Sequence, residues 1–374
     1  MIRLSAALVL LLSALAVAQH TPDEAIALDE QGKFEEAARI WQVITDRAPR
    51  DAGAWAKLGI DLSKQQKYPE AAKAYRKALG LKPKLPGIQL NLGLAEFKQG
   101  HFRPAAVAFR AALEADPSNA QARSLLGISY YGAKQFQEAV QYLEPSLKAD
   151  PTNSELHNLL AQSCLSAKNY PCAQEQFRWL LTQSPDSAAA HVLMGEALDG
   201  SGKTAEAVVE FEAAAKASPR EPNVHFGLGY LYWKSQRYDK ARQEFERELA
   251  LDPNHAQALA YLGDMEWKNN QAENALRYLQ HAAQVNHDLR IVYVDLGAIY
   301  MQQKKFKDAQ VALLRAVALD PEQTDAHYQL GHLYQALGNR ADAERELRKV
   351  RELHEKAEKS GTGTPALPEE QTGK

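Results

Sequence analysis

Apolar and small residues recur along most of the chain at intervals of three and four, and short polar turns separate the segments that carry them. Between residues 52 and 85, one segment carries Leu58, Gly59 and Leu62. The next segment carries Ala71 and Tyr75, followed by Ala78. This spacing places each set on one side of an α-helix, whereas a half-buried strand would alternate strictly. The pattern therefore predicts a pair of helices in this stretch.

The same pair of helices recurs with a period of 34 residues. The strictest column is an alanine in the second helix of each repeat: Ala37, Ala71, Ala105, Ala139, Ala173, Ala207, Ala241, Ala275, Ala309 and Ala343. Twelve residues earlier stands a small residue: Ala25, Gly59, Gly93, Gly127, Ala161, Gly195, Gly229, Gly263, Gly297 and Gly331. A third column precedes each new repeat: Pro49, Pro83, Pro117, Pro151, Pro185, Pro219, Pro253, His287 and Pro321.

We number each repeat so that the alanine is position 20. Ten repeats then cover residues 19–357 without insertion, beginning near residues 18, 52, 86, 120, 154, 188, 222, 256, 290 and 324. Small residues at positions 8 and 20 are expected to face each other where two helices approach closely. Proline at position 32 ends the second helix.

This pattern resembles the tetratricopeptide repeat (TPR) family. The resemblance implies an all-α protein, an α-solenoid in which helical hairpins stack into a right-handed superhelix. It also implies a concave groove lined by positions 2, 5, 6, 9, 12 and 13 of each first helix, which we call the groove positions. The charged helix after Arg340 suits the end of such an array, which needs a polar outer face.

The two ends of the chain have a different composition. Residues 1–18 combine Arg3 with an apolar run and a small-residue pattern ending at Ala18, which predicts a secretory signal peptide cleaved after Ala18. Retention as an anchor is the alternative, but the run is short for a spanning helix. The mature chain is then expected to be exported, to the periplasm or outside the cell, with no membrane span. Residues 358–374 predict a disordered tail.

The charge pattern bears on the class of partner. The formal net charge is −3, with acidic and basic residues interspersed. A nucleic-acid-binding surface would require a basic stripe, so nucleic acid is not an expected partner. The fold resemblance favours protein partners, whose identity the sequence does not give.

One short stretch, Gly200 to Thr204, resembles the end of a nucleotide-binding loop. Such a loop requires a glycine five residues before Gly202, where this chain has Ala197, and it follows a buried strand. The 34-residue register instead assigns the stretch to the turn between two helices. No catalytic residue, cofactor or metal site is predicted, and we expect a non-enzymatic protein. A role as the TPR module of an enzyme complex stays open as a third hypothesis.

Histidine recurs at position 4 of several repeats, as His157, His191, His225 and His327. Equivalent positions of adjacent repeats are separated by about 8–10 Å or more, whereas metal ligands must converge to about 2 Å from one ion. We therefore expect these histidines to serve packing. The chain has two cysteines, Cys164 and Cys172, at positions 11 and 19 of the fifth repeat. An oxidising compartment favours a disulfide across this hairpin, and two buried thiols are the alternative.

Two clusters of apolar residues stand at groove positions. The first groove patch is aliphatic and comprises Leu90, Leu94, Phe97, Leu125, Ile128 and Tyr131. The aromatic patch with its charged edge comprises Phe226, Tyr230, Trp233, Lys234, Tyr261, Asp264, Trp267, Lys268 and Asp295. Large rigid side chains beside a few charges are typical of a groove that binds a peptide or helix.

These features predict an interaction scaffold that holds a segment or helix of a partner protein in the groove, in cell-envelope or secretion-related complex assembly. The alternative hypothesis is a glycan or small aromatic ligand stacked on Trp233 and Trp267. Burial of the patches against neighbouring repeats would remove both hypotheses.

Overall fold

The computed structural model describes residues 21–360. The predicted signal peptide lies outside this range, as do residues 361–374 of the predicted tail. Within the described range all regular structure is α-helical, in twenty helices. The fold class that the resemblance to the tetratricopeptide repeat family implies, an all-α solenoid of helical hairpins, is confirmed. The chain divides into two compact units, of which the first ends at Pro185 and the second begins at Asp186.

The N-terminal unit contains the first five repeats, each a pair of consecutive helices packed on one another. Its helices are α1 (Pro22–Glu30), α2 (Phe34–Arg47), α3 (Ala52–Lys64), α4 (Tyr68–Leu81), α5 (Ile88–Lys98), α6 (Phe102–Ala115), α7 (Ala120–Gly132), α8 (Phe136–Ala149), α9 (Ser154–Ser166) and α10 (Tyr170–Gln183).

The C-terminal unit contains the last five repeats, paired in the same way. Its helices are α11 (Ala188–Gly200), α12 (Thr204–Ala217), α13 (Val224–Lys234), α14 (Tyr238–Leu251), α15 (Ala256–Lys268), α16 (Ala272–Val285), α17 (Arg290–Gln302), α18 (Phe306–Leu319), α19 (Thr324–Ala336) and α20 (Arg340–Ser360). The last helix extends three residues into the range assigned to the tail, because its run of Glu, Lys and Ala favours the helix to that point.

Glycine at position 8 sets how closely the two helices of a hairpin approach. A Cβ atom added at Gly93 would lie 2.5 Å from the Phe109 ring, and one added at Gly229 would lie 2.7 Å from the Phe245 ring. Phe109 and Phe245 stand at position 24 and are fully buried. The ring that needs the space is therefore at position 24. Position 20 also lies close, because the Cβ atom added at Gly229 would stand 3.3 Å from the backbone oxygen of Ala241, which agrees with the expected approach of positions 8 and 20. The alanines at position 20 are themselves buried.

A left-handed residue at position 15 makes each turn between the paired helices compact. Gly202, with φ of 82°, is one example, and Asn270, with φ of 59°, is another. The Gly200 to Thr204 stretch accordingly joins α11 to α12. Thr204 donates its hydroxyl hydrogen bond to Asp199 Oδ1 at 2.8 Å, which ties the two ends of the turn together.

Two first helices, α5 and α13, begin two residues late and are only 11 residues long. Each follows a proline and a left-handed N-cap residue, Gly87 in one case and Asn223 in the other. In α13 the carboxylate of Glu248, on α14, accepts backbone hydrogen bonds at 3.0 Å from both Asn223 and Phe226. Glu248 therefore caps a helix from outside it, and it fixes the backbone of Phe226.

The two cysteines form a disulfide between α9 and α10, with their Cα atoms 5.8 Å apart. Cys164 is fully buried and Cys172 half-buried. The bridge therefore ties together the hairpin of the fifth repeat. Among the helices in residues 21–360, none is long and apolar enough to cross a membrane.

Candidate functional site

Four aromatic side chains at groove positions meet in one cluster between α13 and α15, which we call the aromatic cluster. Its members are Phe226, Tyr230, Trp233 and Tyr261. The ring centroids of Trp233 and Tyr261 lie 5.0 Å apart, and those of Tyr230 and Tyr261 lie 5.8 Å apart, both edge to face. All four side chains are half-buried. The cluster is thus held by its own ring contacts and still presents apolar area to solvent.

Two further rings support the aromatic cluster, and neither stands at a groove position. Phe245 stacks on Tyr261 with the centroids 5.4 Å apart, and His255 lies 4.8 Å from Phe226. Phe245 stands at position 24 and packs from beneath, while His255 precedes the next repeat. Periodicity alone treats both as core or linker residues, because only the stacking of successive hairpins brings them under a groove position.

Asp264 is buried and holds the Trp233 edge of the aromatic cluster. Its Oδ2 accepts a hydrogen bond from Trp233 Nε1 at 3.3 Å. The same oxygen forms an ion pair with the ammonium of Lys268 at 2.9 Å. The ammonium of Lys268 also lies 5.2 Å from the centroid of the Trp233 ring. Because an indole N–H and a cation converge on one buried carboxylate, the orientation of Trp233 is fixed before any partner arrives.

Burial controls the ionisation of two groups in this region. Burial first, and then the neighbouring Tyr230 and Asp264, raise the pKa of Tyr261 to about 12. Burial first, and then the charge of Asp264, raise the pKa of Asp295 well above its usual 3.8, while Lys268 acts in the opposite direction. Tyr261 therefore stays a neutral phenol at physiological pH, and Asp295 resists ionisation. One oxygen of Asp295 is buried and has no hydrogen-bond partner within residues 21–360.

The structure separates two members of the predicted aromatic patch from the rest. Trp267 packs against the buried cluster of α15 to α17, and none of the ring pairs in residues 21–360 includes it. Lys234 lies toward α11 instead and forms an ion pair with Asp199 at 2.7 Å. The two indoles of the glycan hypothesis are therefore not joined in a single stacking surface.

A depression of about 440 Å³ lies beside the aromatic cluster, between α11 and α13. Its lining is given by Val192, Glu196, Phe211, Phe226, Gly227 and Tyr230, together with five neighbouring residues. A Cβ atom at Gly227 would overlap the Phe211 ring, so glycine at this position allows the ring to pack directly under α13. The repeat pattern does not predict this depression, although the glycine at groove position 6 is a signal for it.

The first groove patch has a different chemistry. All six of its members are half-buried along α5 and α7. The Tyr131 hydroxyl donates to Gln162 Oε1 at 2.6 Å, and Gln162 donates to Asn158 Oδ1 at 2.9 Å. Leu90 also borders a separate depression of about 760 Å³ around the start of α5. This patch combines four aliphatic side chains and the rings of Phe97 and Tyr131 with neutral amides.

The histidines at position 4 each hydrogen-bond a position-23 side chain of their own repeat. His157 Nδ1 lies 2.7 Å from Gln176 Oε1, and His225 Nδ1 lies 2.7 Å from Glu244 Oε2. His327 makes the same contact with Glu346. These contacts join the two helices of a hairpin. In the described part of the chain no group of three or more potential ligands is arranged to hold a metal ion.

Comparison with protein families agrees with the repeat analysis. Three models described as tetratricopeptide repeat or TPR repeat match the chain. One matches residues 96–163, 130–197 and 200–264. The second matches residues 61–100 and 297–338, and the third matches residues 328–360. Among curated proteins, no sequence matches significantly.

Solved structures of similar fold include the Cut9–Hcn1 hetero-tetramer of the APC/C. It is 13% identical, with 88% of this chain and 80% of that chain covered and a TM-score of 0.52. YrrB, titled a TPR protein with an unusual peptide-binding site, is 22% identical over 51% of this chain and 100% of its own, with a TM-score of 0.40. MamA from Desulfovibrio magneticus RS-1 is 20% identical over 49% of this chain and 96% of its own, with a TM-score of 0.41.

The Cut9–Hcn1 likeness concerns the fold alone, because the identity is low. The family matches, the ten-repeat register and the twenty paired helices agree with one another. The chain belongs to the tetratricopeptide repeat family.

Proposed function

We propose that this protein is a non-enzymatic scaffold that binds a segment or helix of a partner protein against the first helices of repeats 7 and 8. The observation that carries the proposal is the aromatic cluster, which is fixed from beneath and remains half-exposed above. Rigid aromatic side chains bury much area at small entropic cost, and they are enriched among residues that dominate binding energy.

The fixed position of Trp233 supports this proposal. Asp264 and Lys268 hold its indole in one orientation, so binding would not have to order that side chain. The family membership adds support at a coarser level, since TPR proteins generally act as interaction modules. The glycan alternative receives less support, because Trp267 packs against the protein core.

A peptide-display selection on the full chain tests the proposal. Random twelve-residue peptides are selected on the wild type, and their affinities are then measured for Tyr230→Ala combined with Trp233→Ala. We expect at least a tenfold loss, because such anchors typically contribute about 2 kcal/mol or more. The matched control is Tyr238→Ala, a tyrosine of the same repeat that is 47% exposed at the start of α14.

Two results would contradict the proposal. One is a set of binding peptides whose affinities are unchanged in the double variant. The other is an equal loss in Tyr238→Ala, which would indicate a general effect of removing a tyrosine. A change in the thermal midpoint of the double variant is measured in parallel, so that unfolding is not mistaken for lost binding.

We further propose that the scaffold is exported and acts in envelope or secretion-related assembly. The composition of residues 1–18 supports this location, and a disulfide between Cys164 and Cys172 is compatible with it. Expression of the full chain in a bacterial host should give a mature protein beginning at Gln19, which intact-mass measurement of the cell fractions checks. A full-length mass in the membrane fraction would instead identify a retained anchor, and a full-length mass in the cytoplasm would refute export.

A further inference from the structure

The charges at groove positions of the C-terminal unit do not balance. Five carboxylates stand at these positions: Glu196, Asp199, Asp264, Asp295 and Asp325. Lys234 pairs with Asp199, and Lys268 pairs with Asp264. Arg290, at position 1, pairs with Asp325. Two carboxylates are left over, of which Asp295 is buried and Glu196 is exposed.

Glu196 is therefore the accessible unpaired carboxylate of this surface. It makes no hydrogen bond or ion pair with the described part of the chain, in contrast to Asp199 one turn later on α11. Its side chain stands at the rim of the 440 Å³ depression. Although the rim is open to water, the surrounding protein raises the pKa of Glu196 by desolvation.

The walls of the depression are apolar and partly aromatic. Phe226 and Tyr230 line one side, Val192 lies on the side of α11, and the Phe211 ring forms part of the floor beneath Gly227. A ligand that fills it must therefore have an apolar or planar body and a positively charged end. Basic side chains have this form, because their methylene stems tolerate apolar walls while the charged group remains at the rim.

We propose that the depression between α11 and α13 takes a basic side chain, preferably arginine, from the partner segment that lies on the aromatic cluster. The guanidinium is planar, stacks on aromatic rings and can form two parallel hydrogen bonds with a carboxylate. In the complex it pairs with Glu196 and lies against Tyr230. This inference rests on the proposed function and adds to it the chemistry of one partner residue.

The experiment starts from the peptides selected on the wild-type chain, restricted to those that Tyr230→Ala weakens. These peptides should share a basic residue at a fixed distance from their apolar residues. In one such peptide, arginine is replaced by citrulline, which keeps the shape and removes the charge. The affinities of both peptides are measured for the wild type and for Glu196→Gln, which completes a double-mutant cycle.

We expect citrulline to weaken binding to the wild type about tenfold, as loss of a charge-assisted contact does. The same replacement should weaken binding to Glu196→Gln less than twofold. Glu206→Gln is the matched control, because Glu206 is an exposed glutamate of the same repeat at the start of α12. This control should keep the tenfold discrimination. Glu196→Gln should melt at or slightly above the wild type, because Glu196 makes no hydrogen bond or ion pair within residues 21–360 and desolvation raises its pKa.

Failure of this inference and failure of the proposed function are distinguishable. Peptides that depend on Tyr230 but lack a shared basic residue overturn the inference and leave the proposed function intact. An equal effect of citrulline on the wild type and on Glu196→Gln does the same. If selection gives no peptide that depends on Tyr230, the proposed function and this inference both fall.

Discussion

In both units position 12 of one repeat contacts position 9 of the next, but the contact is neutral in one unit and charged in the other. In the N-terminal unit, Tyr131 at position 12 donates to Gln162 at position 9 of the next repeat. In the C-terminal unit, Trp233 at position 12 donates to Asp264 at position 9 of the next repeat. The first contact is neutral. The second is charged and attracts Lys268.

This difference shows which positions of the repeat are free to vary. Positions 8 and 24 fill the space between paired helices in both units, as Gly93 with Phe109 and Gly229 with Phe245 show. The polar contacts of groove positions 9 and 12 run to the next repeat, as Tyr131 with Gln162 and Trp233 with Asp264 show, so these side chains can change between a neutral and a charged pair while positions 8 and 24 stay the same. The fold is therefore shared by the two units, whereas the surface chemistry belongs to each unit separately.

The largest expected effect is on stability, and it tests the packing of positions 8 and 24 that both units share. Gly93→Val and Gly229→Val should each lower the free energy of unfolding by about 3 kcal/mol, because the added side chain overlaps a buried ring. Urea denaturation followed by circular dichroism gives this value. Gly80→Val is the control, since a Cβ atom there would meet no other part of the described chain within 4 Å beyond its neighbours and its own helix backbone. A large loss in one unit only would show that the hairpins are not equivalent.

The next effect concerns a feature of the N-terminal unit. Replacement of both Cys164 and Cys172 by alanine should destabilise this unit by about 2 kcal/mol, since the bridge closes a short loop. Hydrogen exchange should become faster in α9 and α10 and remain unchanged in α15 and α16. Reduction of the wild type should reproduce the effect of the double variant. Equal acceleration in both units would contradict the assignment of the bridge to local stability.

A pH effect should appear in both units with the same sign. Burial first, and then the neighbouring Asp29, raise the pKa of Asp61 from 3.8 to about 7. Since the folded pKa exceeds the unfolded one, the stability from Asp61 is present in full below about pH 4 and is lost as pH rises through 7. The lowered pKa of Asp29, held chiefly by Lys64, acts in the opposite direction and reduces the net effect.

Asp61→Asn should therefore stabilise the N-terminal unit by about 1–2 kcal/mol at pH 8 and change little at pH 4. Asp295→Asn should have the same sign in the C-terminal unit, because burial also raises the pKa of Asp295. Thermal melts of both variants across this pH range measure the effect. A stabilisation that is as large at pH 4 as at pH 8 would rule out carboxylate ionisation as its cause.

The smallest expected effect is on the salt dependence of peptide binding, which should differ between the aromatic cluster and the first groove patch. Peptides that depend on Tyr230 should bind about threefold more weakly when NaCl rises from about 0.05 to 0.5 M, because salt screens partly exposed charges. Peptides selected on the Tyr230→Ala chain that depend on Leu94 should bind equally at both concentrations. Fluorescence anisotropy measures both series. An identical salt response in the two series would contradict the conclusion that charge distinguishes the two groove surfaces.

The sequence was sufficient to predict the helices and their pairing, because both follow from periodicity and from glycine and proline positions. The spacing places Ala71, Tyr75 and Ala78 on one side of a helix, and all three are buried. The late start of α13 was not anticipated, although Pro222 before Asn223 is a signal for it. Its cap comes from Glu248, which is 25 residues away from Asn223 in the chain.

The candidate site was only partly predictable. Trp233 and Trp267 occupy the same position 12 and look equivalent in the sequence. Trp233 meets Asp264 in the next repeat, whereas the corresponding residue for Trp267 is Ala298, which offers no side-chain acceptor. Such differences depend on how one hairpin stacks on the next, and a pattern within a single repeat does not contain that information.

The residue that caps α13, Glu248, belongs to the same repeat as the helix, so repeat 7 does not depend on its neighbours for this cap. Asn223, Phe226 and Glu248 all lie within residues 222–255. A duplicated or transplanted copy of this repeat would therefore include the residue that caps its first helix. The partners of its charged and aromatic edge, Asp199 and Asp264, belong to the flanking repeats. A copy inserted elsewhere in the array would keep the hydrogen bonds within residues 222–255, but its Lys234 and Trp233 would meet different side chains in the flanking repeats.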